Sequence, residues 1–190
     1  MPVTQRHVIK LGGSLLACRE TPNQVERLLA SDFRGSQVNI ILGGGEVIDA
    51  LRALDAVHSF CPAQMHWWCI RALRVTCEIG CRWFPTATPI LTAEAFDKHR
   101  HDQSAGLYLI AVDSFYSELD GDVLPQDWST TSDSLAALLA RRLAINRLTL
   151  LKSCPLPSGY TLAWASREGI VDPAFMRASE GLDVELRNLS

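Results

Sequence analysis

The 190-residue chain has no marked excess of either charge: its formal net charge is -3, with 21% charged residues. A basic face for nucleic acid is therefore not favoured. The chain also lacks any apolar run near the ~18 to 20 residues that span a bilayer, and it lacks the basic and apolar segments of a secretory leader. These absences predict a cytoplasmic protein. There is no CxxC among the six cysteines (Cys18, Cys61, Cys69, Cys77, Cys81 and Cys154), and without a secretory signal reduced thiols are expected. Cys77 and Cys81, at i and i+4, share a helix face, but no second ligand pair accompanies them, so no metal site is expected. The GxGxxG fingerprint and the GxxxxGK[ST] loop are missing, which disfavours Rossmann and Walker-type nucleotide sites. No repeat, low-complexity tract or linker divides the chain, and its length suits one domain over 1–190.

What is present is an apolar chain, 47% hydrophobic, with a recurring short pattern. The segments HVIKL (7–11), QVNIIL (37–42), LYLIAV (107–112) and LTLL (148–151) are nearly continuous apolar runs, as expected of strands buried on both faces. YTLAWA (160–165) and VELRNL (184–189) read as further strands. Helical patterns lie between them. Thr21-Pro22-Asn23-Gln24 reads as an N-cap and first turn, residues 46–57 and 62–82 have helical spacing, and Thr131 or Ser132 caps a helix whose inward stripe is Leu135, Leu138, Leu139 and Leu143. Alternating strands and helices predict an α/β fold, a mostly parallel sheet covered on both faces.

In such sheets ligands bind where loops leave the carboxyl ends of the strands. Gly12-Gly13-Ser14 follows the first strand and Gly43-Gly44-Gly45 follows the second. A lone glycine pair reads most simply as a tight turn. Two on neighbouring buried strands suggest backbone N–H groups gripping a phosphate chain from two sides. Lys10, late in the first strand, and Lys152, at the end of LTLL, would be costly there unless they meet an anion, the alternative being lysines that snorkel to the sheet edge. Asp133, at a helix start, serves either as a cap or as the carboxylate that orients those lysines.

The order Lys10-Leu11-Gly12-Gly13-Ser14, Gly43-Gly44-Gly45, Thr131-Ser132-Asp133-Ser134, Leu151-Lys152-Ser153 resembles the amino acid kinase superfamily over nearly the whole chain. GGGEVIDALRALD, MHWWCIRAL, LPQDWSTTSDSLAALLA and EGIVDPAF are most similar to its compact branch linked to methanofuran and tetrahydromethanopterin, the aminomethylfuran phosphate kinases. The resemblance implies a three-layer αβα sandwich using ATP and Mg²⁺ on a phosphate or carboxylate acceptor, with no nucleic-acid or membrane partner and a homodimer or higher homo-oligomer as its assembly. It implies that Lys10 stabilises the transferring phosphoryl group, Asp133 orients the lysines and Lys152 neutralises the nucleotide phosphates. Gly12, Gly13, Ser14, Gly43, Gly44, Gly45 and Ser153 form the nucleotide and phosphate cradle.

Asp49, Arg52 and His66 fall where that branch builds its acceptor pocket. Arg52 would hold an acceptor phosphate and Asp49 an amine; alternatively Asp49 and Arg52 form an i, i+3 ion pair on a solvated helix face, and His66 is a satisfied helical histidine. Trp67, Trp68 and Trp83 exceed what one core is expected to bury, which suits an oligomer contact. After Lys152 the chain has no counterpart of the usual Asp-Gly step, so a catalytically silent nucleotide-binding or regulatory subunit is the alternative reading.

Overall fold

A computed structural model describes residues 4–189. Six strands, β1 (Arg6–Leu11), β2 (Gln37–Leu42), β3 (Thr88–Ile90), β4 (Gly106–Ile110), β5 (Arg147–Lys152) and β6 (Asp183–Asn188), form one sheet in the order β3-β4-β2-β1-β5-β6. Every neighbouring pair is parallel. The helices are α1 (Thr21–Asp32), α2 (Glu46–His58), α3 (Pro62–Trp83), α4 (Ala93–His99), α5 (Ser132–Arg142), α6 (Leu162–Arg167) and α7 (Phe175–Ala178).

Side chains alternate along each strand, and the core divides accordingly into two apolar clusters. Val8, Ile41, Leu148 and Leu150 pack with α5, α7 and the first half of α3. Ile9, Leu11, Ile40, Leu42 and Leu151 pack on the opposite side with Val25 of α1 and with Cys77 and Phe84 at the far end of α3. This is the expected αβα sandwich. Gly80 lets α3 approach the sheet, since a Cβ there would lie 3.0 Å from both methyl carbons of Leu42.

Four expected strands are present, with the third ending at Ile110 before a 3-10 turn over Val112–Ser114. The segment 184–189 also corresponds to a strand, β6. YTLAWA is different: it forms helix α6, because the Thr161 hydroxyl accepts from the Trp164 N–H at 3.1 Å and starts a helical turn. Thr21 is likewise not a cap. It lies inside α1, and its buried hydroxyl donates to the Leu15 carbonyl at 2.8 Å. β3 and α4 had no reading in the sequence; β3 is a three-residue edge strand centred on Pro89, and its N–H-free residue fits only an edge. The six cysteines are all free thiols. Trp67 is buried, whereas Trp68 and Trp83 are half-buried.

Candidate active site

β1 and β5 are direct neighbours, with Leu11 opposite Leu151. By alternation Lys10 shares the face of Val8, and Lys152 the face of Leu150; both therefore lie on the side covered by α5. The start of α5 supplies Asp133. Its Oδ1 lies 2.9 Å from Lys10 Nζ, while Lys152 Nζ reaches Oδ1 at 2.9 Å and Oδ2 at 2.8 Å. Lys152 also donates to the Ile170 carbonyl at 2.6 Å. All three side chains are buried, at 4%, 4% and 8% exposure for Lys10, Asp133 and Lys152.

Two ammonium groups thus share one carboxylate. Burial by itself would raise the Asp133 carboxyl, but the Lys10 and Lys152 charges and their hydrogen bonds hold it below its ordinary range. Burial, reinforced by Lys10 and opposed by Asp133, lowers the Lys152 ammonium. The three groups together carry one uncompensated positive charge away from water, an arrangement that an anion would relieve.

The glycine turns meet beside this cluster. A Cβ on Gly13 would fall 2.3 Å from Gly45 N, and one on Gly43 would fall 2.6 Å from Gly13 N, so the two backbones touch with no room for side chains. Gly45 has φ +51°, a left-handed value that glycine adopts without strain, and it leads directly into α2. Gly12 N–H donates to the Leu151 carbonyl and Gly43 N–H to the Leu11 carbonyl, at 2.9 and 2.8 Å. Those two glycines tie the turns to the sheet, while Gly13, Ser14, Gly44 and Gly45 line an adjoining cavity. Ser14 and Ser153 hydroxyls, 2.7 Å apart, join the first turn to the end of β5.

The cavity has a volume of about 390 Å³, and Asp49, Arg52 and His66 all line it. Among the described residues Asp49 and Arg52 form no ion pair; the Arg52 guanidinium instead stacks over Trp128, 4.3 Å from the ring centroid. His66 is 5% exposed and its Nε2 has no partner. Burial, opposed by Asp127, pulls its imidazole below the ordinary value, so it is neutral at physiological pH. Thr130 was not singled out from the sequence, yet it is 6% exposed, lines the same cavity and has an unpartnered hydroxyl. Unpartnered buried polar atoms on a cavity wall are what an incoming polar ligand would satisfy.

The same architecture occurs in UMP kinase from Ureaplasma parvum, at a TM-score of 0.64 and 15% identity over 97% of this chain and 90% of that one. Uridylate kinase from Archaeoglobus fulgidus matches at 0.61 and 14%, over 95% of this chain and 89% of that one. Aspartate kinase from Synechocystis matches at 0.64 and 13% over 98% of this chain, which spans 38% of that longer protein. The chain shares the fold of these kinases. No protein-family model and no curated protein matches the sequence. In this fold the charged cluster sits at the carboxyl ends of the neighbouring strands β1 and β5. No helix among the described residues is long and apolar enough to cross a membrane.

Proposed function

We propose that the chain is a cytoplasmic Mg²⁺-ATP-dependent kinase that transfers a phosphoryl group to a phosphate or carboxylate on a small molecule. The observation that carries this reading is the uncompensated buried positive charge of Lys10, Asp133 and Lys152 beside the packed glycine turns. Phosphoryl transfer asks a protein for positioning and electrostatic stabilisation, and this cluster is suited to both. Lys10 makes a single contact with Asp133, so its remaining ammonium hydrogens can meet the transferring group. Lys152 adds positive potential for the nucleotide phosphates, and the N–H groups of Gly13, Ser14, Gly44 and Gly45 complete the cradle.

Among the described residues no three His, Cys, Asp or Glu side chains are grouped to hold an ion. Mg²⁺ would then be held chiefly by nucleotide phosphates and water, the common arrangement for this ion, and when bound it would neutralise phosphate charge. The cavity with Asp49, Arg52, His66 and Thr130 is the acceptor side. Within that class we propose an aminomethylfuran phosphate of one-carbon cofactor biosynthesis as the acceptor to test first, on the sequence resemblance.

The test is ADP release from Mg²⁺-ATP across phosphorylated furans, amino-acid carboxylates and nucleoside monophosphates. Release stimulated by a phosphorylated furan is the expected result. Saturable ATP binding without acceptor-dependent release from any of them would replace this proposal with the silent nucleotide-binding subunit. Self-association is also expected, because Val75 and Ile79 of α3 are exposed apolar residues one helical turn apart. Sedimentation should give a dimer or larger, and a monomeric mass at working concentration would remove that part.

A further inference from the structure

The geometry points to Asp172 as a positioning residue that holds Asp133 between the two lysines. Asp172 lies between α6 and α7 and is 6% exposed. Its Oδ2 accepts from the Thr131 N–H at 2.9 Å, the Thr131 hydroxyl at 2.8 Å and the Ser134 N–H at 3.0 Å, and its Oδ1 accepts from the Ser134 hydroxyl. Four donors from the first turn of α5, on both sides of Asp133, converge on one carboxylate.

The local cap cannot do this alone. The Thr131 hydroxyl is 3.5 Å from the Asp133 N–H, a long contact, and its own hydrogen is given to Asp172. The cap is in effect supplied from about 40 residues further along the chain. The same segment is tied to the site twice more: the Ile170 carbonyl accepts from Lys152, and the Ala174 N–H donates to the Ser129 carbonyl at 3.0 Å. One strap therefore grips Lys152 and the helix that carries its counter-ion.

Asp172 is in hydrogen-bond contact with neither lysine; it reaches the cluster through the helix terminus and through repulsion with Asp133. Burial pushes its carboxyl above the ordinary range and the nearby Asp133 adds to that, while the Ser134 and Thr131 donors pull it back. A second carboxylate so close to the first is a costly way to cap a helix. Fixing the direction of Asp133, where small errors of placement are expensive for catalysis, accounts for that cost.

The catalytic consequence rests on the kinase reading, but the positional claim can be tested without it. Lysine occurs only at positions 10, 98 and 152, and Lys98 is an exposed partner of Glu94. A ¹⁵N-lysine NMR spectrum of the whole protein at neutral pH should therefore show protected ammonium signals from Lys10 and Lys152 only. Asp172→Asn, which presents a donor to the Ser134 and Thr131 donors, should shift or broaden both signals while the melting curve stays cooperative. With an acceptor identified by the ADP-release assay, kcat should fall about 100-fold, with KM for ATP and acceptor changing less than about threefold. Two unchanged ammonium signals would overturn the proposal, whatever the activity. If the signals change but the wild type transfers no phosphoryl group, the kinase reading fails and the positional claim stands. Should Asp172→Asn not fold, Ser134→Ala decides the matter: loss of that one donor should perturb both signals, and unperturbed signals would overturn the proposal.

Discussion

Lys10→Met is expected to lower phosphoryl transfer by roughly a thousandfold or more while leaving the protein folded. The magnitude follows from the role proposed for Lys10, stabilising charge on the transferring group, where single preorganised groups contribute factors of roughly 10² to 10⁵. The preserved fold follows from the charge balance. Without Lys10, Asp133 and Lys152 remain as a one-to-one buried pair, joined through both carboxylate oxygens. The excess positive charge is gone, so denaturant midpoints should be unchanged or slightly higher. Turnover of an identified acceptor, measured beside a urea melt, separates the two effects. Turnover within tenfold of the wild type would sink the assignment of Lys10 to the reaction.

Asp133→Asn should cost stability as well as turnover. It leaves Lys10 and Lys152, both less than a tenth exposed, without a counter-ion. Breaking a buried pair by removing one partner typically costs about 3 to 5 kcal/mol. The pH dependence has a definite sign. The Lys152 ammonium is already below its ordinary 10.5 through burial and Lys10, and the substitution removes the Asp133 charge that opposes this. Between the lowered Lys152 value and 10.5 the unfolded chain binds more protons, so the variant should regain stability as pH rises through that window. The wild type has the same alkaline trend, weakened by Asp133, and an acid one as well. Its Asp133 carboxyl is lowered from 3.8, so the stabilisation from this group is fully present above 3.8 and is lost as pH falls through the lower folded value. Urea melts at neutral and alkaline pH test this, and a variant whose deficit is the same at both would refute the electrostatic account.

Much of this site was legible because its parts are misfits in their local sequence. A lysine in HVIKL and another closing LTLLK make poor sense in strands buried on both faces unless something charged awaits them. Consecutive glycines after two such strands narrow the place where it waits. The sheet was equally legible wherever a strand was long and fully buried. Legibility failed where a residue's role depends on a partner distant in sequence. Asp172 lies in EGIVDPAF, a segment that carries the resemblance without marking any residue in it, and its four donors lie 38 to 41 positions earlier. Arg52 has the right spacing to pair with Asp49, but Trp128 claims its guanidinium. The unpartnered state of His66 and Thr130 is a property of packing, and no local pattern encodes it. The error at α6 has a simpler source: Leu162 and Trp164 alternate like a strand, and a single threonine hydroxyl sets the backbone otherwise.

The position of β1 between β2 and β5 also has a consequence for how the molecule comes into being. The first strand finds one neighbour soon, but its other edge waits for residues 147–152, and the hydroxyls of Ser14 and Ser153 that join across that edge are 139 residues apart. At ribosomal speeds of about 5 to 20 residues per second, an apolar strand carrying one of the three charged residues stays open for roughly 7 to 28 seconds. Long-range parallel pairing of this kind is slow to form. The nascent chain should therefore depend on chaperones during that interval, and refolding from denaturant should recover activity late and together with the last of the β-sheet signal.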